Sequence, residues 1–180
     1  MTRPSNTAAR RAEIVAALRA GMARKGYEAT SVADIAATAR LAPGLVHYHF
    51  SSKLEVLLAL LDDLGARHEA RLGEALRDAG EAPAARLAAF IDFHLGLRAA
   101  DPEALACWVA LGGEALRDAK VRARYRRVVA RWVGVLEEIL EDGRRARAFK
   151  VTNVSAAACA VVSAIPVSYT HLTLPTNREV

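Results

Sequence analysis

Three helix-start signals crowd into residues 31–55, and they constrain this chain more than any other feature. Ser31 precedes Asp34 by three residues. Its hydroxyl can accept from a free backbone N–H while the carboxylate complements the positive end of the helix it opens. Pro43 suits the first position of a helix, where a missing N–H costs nothing. Ser52 with Glu55 repeats the capping pattern. The spacing predicts a short helix ending near Ala39 and burying Val32, Ile35 and Ala36, then a turn over 40–42. A second short helix ends near Phe50, and a long helix follows. Ahead of them, residues 8–25 carry Ile14, Val15, Leu18 and Met22 along one stripe and read as a helix closed by Gly26. Helix, short helix, turn, short helix within about 45 residues is a helix-turn-helix arrangement.

The long helix places Leu54, Leu57, Leu58, Leu61, Leu64, Leu72 and Leu76 at three- and four-residue spacings. A break falls at 79–83. Helical patterning resumes over 85–100, then over 101–113 with Asp101 as cap and Pro102 at the first position, then over about 115–142. Thr152 or Asn153 can cap a last apolar helix over 154–165. The chain is 53% hydrophobic yet only 6% aromatic, a balance that favours helices over sheet. The expected fold is all-α: a three-helix head over 1–52, joined by the long helix to a bundle of four or five helices over 53–166.

From Val167 the string VSYTHLTLPTNREV drops helical periodicity, contains Pro175 and reads as extended or unstructured chain. It resembles the in-frame translation of the transposon-end adapter used in sequencing libraries. That resemblance implies a non-native tail over 167–180 and an authentic sequence that ends near Ile165, short of its native C-terminus.

Cys107 and Cys159 have no disulfide or zinc spacing, which points to a reducing cytoplasm. The polar N-terminus lacks a signal peptide, and no run approaches the ~18 apolar residues of a membrane span. Up to Lys53 there are eight basic and three acidic residues, which is the whole formal excess of +5. This end suits a polyanion, or else it is a merely solvated basic face.

Residues 41–53, LAPGLVHYHFSSK, sit where these signals converge. A metal or catalytic site, a packed corner and a nucleic-acid surface compete for them. His47 and His49 are two apart and point to different sides of a helix, whereas a helical metal pair prefers four apart, and no third ligand is near. Neither metal, catalysis nor cofactor is expected. Packing accounts for Val46 and Phe50 but not for an outward Pro43, Gly44, Leu45 and His47. Gly44 lets a backbone approach a sugar or phosphate. Tyr48 and His49 can donate to flanking phosphates, and Thr30 or Ser31 at one helix start and Lys53 at another favour an anion. The set reads as a phosphate clamp around one projecting helix.

With these residues in place, TSVADIAATARLAPGLVHYHFSSKLEVLLALL is similar to the DNA-binding signature of the TetR family of transcriptional regulators. The threonine-serine helix start, Ile35-Ala36, the small-Pro-Gly opening, the aromatic-His-Phe end and Lys53 carry the match. WVALGGEALRDAKVRARYRRVVARWVGVLEEIL resembles, more loosely, the C-terminal type of the choline-responsive BetI group. The resemblance implies a ligand-responsive regulator, most often a repressor. It would bind a near-palindromic DNA operator as a homodimer and answer a small-molecule effector. The loss of a native C-terminus would weaken that dimer. Where the family usually has glycine in the turn, this chain has Arg40. Either Arg40 adopts the turn under modest strain or the turn differs, and in both cases a charge joins the DNA face. Readout then leans on His47, on apolar contact with thymine methyls, on Arg40 or on DNA shape.

In the larger domain Phe90, Phe93, His94, Trp108, Tyr125 and Trp132 either line an effector cavity or fill the core. A cationic effector would need Asp92 and Glu114. The arginine-rich stretch 117–131 is either a solvated face or a site for an acidic partner. The competing reading of the whole chain is a helical protein-interaction module without DNA binding, against which the confined charge argues.

Overall fold

The computed structural model describes residues 6–173, and among them the chain forms eight helices. These are α1 (Asn6–Lys25), α2 (Val32–Ala39), α3 (Pro43–His49), α4 (Lys53–Asp78), α5 (Pro83–Ala100), α6 (Pro102–Arg117), α7 (Ala119–Arg145) and α8 (Val154–Thr173).

Helices as short as α2 and α3 are not stable alone, so tertiary burial must hold them. Ile35 and Ala36 of α2, Val46 of α3 and the following Phe50 are buried against Ile14, Leu18 and Met22 of α1. Ser31 and Asp34 form the expected reciprocal capping box. At the other end of α2, Arg40 takes the left-handed conformation at φ 57°, ψ 41°. Its N–H donates to the carbonyl of Ala37 and that of Leu41 to Ala36, the hydrogen-bond pattern of a glycine-type helix stop. The turn is therefore the usual one, held by arginine at a cost of about 1 kcal/mol.

The 26-residue α4 spans roughly 39 Å. Ser52 caps it by accepting from the Glu55 N–H, but the Glu55 carboxylate accepts from the N–H of Ser51, one residue earlier than a standard box. Leu57, Leu60, Leu61, Leu64, His68 and Leu72 form its buried stripe, and α4 packs on α1 as well as on α5 and α7. The α1 helix packs on both α4 and α6, so head and bundle share a continuous core.

Two boundaries differ from the sequence expectation. The α6 helix runs through Gly112 and Gly113 to Arg117, because Leu111, Glu114 and Ala115 bury its last turns. The break falls at Asp118, whose carboxylate accepts from the N–H groups of Lys120 and Val121 to start α7. Asn153 caps α8 through the Ala156 N–H. That helix does not end near Ile165: it continues past Val167 to Thr173 with Pro166 inside it. The proline forfeits one backbone bond, but residues 167–173 contain neither glycine nor another proline to stop the helix. The remainder of the tail, 174–180, and the first five residues lie outside the described residues.

Candidate nucleic-acid interface and ligand cavity

Of the α3 side chains only Val46 is buried. Pro43, Gly44, Leu45, His47 and Tyr48 face solvent, and Tyr48 is 81% exposed. A Cβ built on Gly44 meets nothing within 4 Å, so no internal contact requires glycine there. His49 is half-buried, its ring edge-on to Tyr48 at 5.1 Å between centroids. Arg11 of α1 braces the far end of α3. It donates to the carbonyl of His49 and lies 3.9 Å above the ring of Phe50. The projecting helix is thus held from behind and bare in front.

The flanking residues divide. Arg40 is exposed and, among the described residues, forms no ion pair. Ser31 is exposed, although its hydroxyl is engaged by Asp34. The Ser31 hydroxyl and the Lys25 ammonium hold the Asp34 carboxyl far below the usual carboxylate range. Thr30 does not face a phosphate: it is fully buried, donates to the Gly26 carbonyl at 2.7 Å and rests its methyl on Gly21. Lys53 is half-buried. Its ammonium donates to the carbonyls of Tyr27 (3.1 Å) and Glu28 (3.4 Å) and sits 4.2 Å over the Tyr27 ring. It braces the α1–α2 connection against α4, with one N–H left for an anion.

Four of the six aromatic candidates of the larger domain gather around His68 of α4, while Phe90 meets His94 and Tyr125 meets Trp108. Trp132 stacks on His68 at 4.4 Å, with Phe93 at 4.9 Å, His94 at 5.0 Å and Trp108 at 6.0 Å. His94 uses Nδ1 on the Phe90 carbonyl at 2.7 Å. Its Nε2 and both ring nitrogens of His68 are buried without a hydrogen-bond partner among the described residues. Burial pushes the His68 imidazole down to about 3, with His94 and Arg71 adding to the effect. Burial likewise lowers His94 to about 4 against the pull of its bond to Phe90. Both rings are neutral near pH 7.

A cavity of about 260 Å³ opens beside His68. Leu64, Phe93, Ala104 and Trp108 give it apolar walls, and Arg67, Arg71 and Asp101 stand around it. Of the six expected residues only Phe93 and Trp108 line it. Phe90, His94 and Tyr125 stand behind as core, and Trp132 faces a neighbouring pocket of about 170 Å³. Sequence reasoning missed His68, although its place in the stripe of Leu61, Leu64, Leu72 and Leu76 is a detectable signal of an inward imidazole.

A family model described as bacterial regulatory proteins, tetR family, matches residues 14–60. A second, described as the C-terminal domain of BetI-type transcriptional repressors, matches residues 83–165. The HTH-type transcriptional regulator BetI of Rhizobium meliloti is 33% identical over 113 residues, which are 63% of this chain and 55% of that relative. The match thus spans about half the relative's length. Among solved structures, a transcriptional regulator from Saccharomonospora viridis in complex with choline superposes with a TM-score of 0.86 at 21% identity, covering 94% of this chain and 88% of that one. The regulator FadR of Bacillus subtilis in complex with stearoyl-CoA superposes with a TM-score of 0.76 at 22% identity, covering 93% and 89%. At these identities the superpositions speak for the fold.

Proposed function

The chain belongs to the TetR family of bacterial regulatory proteins, with a BetI-type C-terminal domain, and on that premise we propose that it is a cytoplasmic, effector-controlled repressor. As a homodimer it binds a near-palindromic operator in double-stranded DNA through α3. The observation that carries this reading is the α3 surface: five consecutive or near-consecutive residues stand free, with a glycine that no internal contact explains. Pro43, Gly44, Leu45 and His47 enter the major groove. Arg40, Tyr48, His49 and the helix start at Ser31 meet the flanking phosphates, and Lys53 fixes the frame and reaches the backbone with its remaining N–H.

Control follows from α4, whose first residue is Lys53 and whose second half carries His68 and Arg71. A small molecule wedged between α4, α5 and α6 swings α4 and changes the separation of the two heads, which must match grooves roughly 34 Å apart. Coupling of about 1–3 kcal/mol alters operator affinity several-fold or more. Support for a small-molecule effector comes from the relatives solved with choline and with stearoyl-CoA.

Fluorescence anisotropy of a random-sequence duplex, titrated with the full chain at two salt concentrations beside sedimentation of the free protein, tests the reading. The expected result is weak binding by a dimer that falls steeply as salt rises, because phosphate contacts release counterions. A folded dimer that ignores DNA at low salt favours the protein-interaction module instead.

A further inference from the structure

A solved structure of similar fold holds choline, a cation, yet the charges around this cavity run the other way. A cation in an aromatic site wants an unengaged carboxylate near it or rings free of competing cations. Asp92 is exposed and Glu114 is paired with Arg117 at 3.4 Å, and neither lines the cavity. Asp101 does, but its Oδ1 accepts from Arg19 at 2.5 Å and from the Ala104 N–H at 2.9 Å. Arg67 is satisfied by Asp63 at 2.8 Å. Arg71 is not: its one ion pair among the described residues, to Asp101, is 3.9 Å long, its side chain is 41% exposed, and its guanidinium lies 5.8 Å over the Phe93 ring. One face of that aromatic ring thus already has an arginine of the protein over it.

His68 also lines the cavity; it is 4% exposed, and both its ring nitrogens are without a hydrogen-bond partner among the described residues. A neutral imidazole has one donor and one acceptor, and buried polar groups are ordinarily paired. A hydroxyl can satisfy either nitrogen. The volume, about 260 Å³, exceeds the ~150 Å³ that holds benzene and falls below the ~300 Å³ at which drug-sized pockets begin. One substituted ring fits; a long acyl chain does not.

We propose that this cavity takes a small aromatic carboxylate bearing a hydroxyl, with the carboxylate on Arg71 and the hydroxyl on His68, and that it rejects quaternary ammonium ions. The assignment deepens the effector-controlled reading above and rests on it. Arg71 offers the planar fork that matches a carboxylate bidentately. Phe93 and Trp108 sandwich or edge-pack the ring. Choline would face the Arg71 guanidinium, while Asp101, the one carboxylate among the lining residues, is already shared between Arg19 and Arg71.

Calorimetric titration of the full chain with 2-, 3- and 4-hydroxybenzoate, benzoate and choline tests this. At least one hydroxybenzoate should bind saturably and about ten-fold more tightly than benzoate, the scale expected for one buried hydrogen bond, with choline giving no heat of binding. Arg71→Gln, at a partly exposed site, should fold and lose about ten-fold in hydroxybenzoate affinity. His68→Phe should erase the preference over benzoate. Choline binding in place of the acids, no binding by any probe, or an unchanged affinity in Arg71→Gln each overturns the assignment. Duplex binding is read separately. A chain that binds DNA but none of the acids loses only this inference, whereas one that binds the acids but no DNA loses the regulator reading.

Discussion

Nothing inside the molecule asks for glycine at position 44. Its Cβ would point into open space on the first turn of α3, where glycine costs a helix about 0.5–1 kcal/mol relative to alanine. Gly44→Ala should therefore raise stability by about that amount, seen in thermal melts, while weakening duplex binding in anisotropy titrations, since in the proposed docking of α3 the methyl would crowd the DNA. A variant that is more stable and binds DNA as before would remove the α3 backbone from the contact. The histidines make the opposite kind of demand. His68 is lowered to about 3 and His94 to about 4 by burial. Between these values and the unfolded value near 6.5, the unfolded chain binds more protons than the folded one. Stability is thus full above pH 6.5 and falls as pH drops, by on the order of 2 kcal/mol per histidine from pH 7 to pH 5. That window lies above the carboxylate range, so the histidines dominate it. Denaturant midpoints measured at pH 7 and 5 should show the loss, and His68→Phe should halve it. A pH-independent midpoint would mean that water or a ligand partners these rings.

At the scale of elements, what was legible in the sequence was whatever a helix settles with its own residues. Ser31, Pro43, Ser52, Asp101 and Asn153 open helices where local capping chemistry places them. What escaped depends on distant partners. Lys53 reads as a surface cation until Tyr27 is placed beneath it, and Thr30 as a hydroxyl at a helix start until Gly21 takes its methyl. The Gly112–Gly113 pair reads as a stop, but burial of Leu111, Glu114 and Ala115 carries α6 onward. The connection from α7 to α8 shows the same dependence. Gly143 is buried, and a Cβ there would stand 2.0 Å from the Phe149 ring, which folds back over the end of α7. An aromatic ring packed between helices cannot yield that far. Gly143→Ala should cost about 1–3 kcal/mol by overpacking, against the ordinary gain from alanine in a helix. Chemical denaturation checks it, and Gly143→Ala with Phe149→Ala should recover part of the loss. A single variant as stable as the parent would show that Phe149 does not hold this turn.

Across the whole molecule, Asp101 is the point where α1, α4 and α6 meet. It caps α6 through the Ala104 N–H, pairs with Arg19 of α1 in the head, and lies 3.9 Å from Arg71 of α4 at the rim of the cavity. The Arg19 and Asp101 side chains are 17% and 24% exposed, so solvent screens their pair only in part. A carboxylate ligand that draws Arg71 toward itself loosens one of Asp101's contacts and leaves the other, to the head, to take the strain. Coupling of this kind needs the charge of residue 101 more than its shape. Asp101→Asn keeps an oxygen for the Ala104 N–H and removes the charge facing both arginines. It should lower stability by about 1.5–3 kcal/mol, the range of a hydrogen bond to a charged group. Duplex affinity without ligand should stay within about three-fold of the parent and hydroxybenzoate affinity without DNA should rise, because Arg71 loses its competing carboxylate, whereas the factor by which one ligand changes the affinity of the other should collapse toward one. Anisotropy titrations with and without saturating hydroxybenzoate, for parent and variant, measure that factor directly. If it survives the substitution, the signal travels along α4 from His68 to Lys53 without passing through the α1–α6 junction.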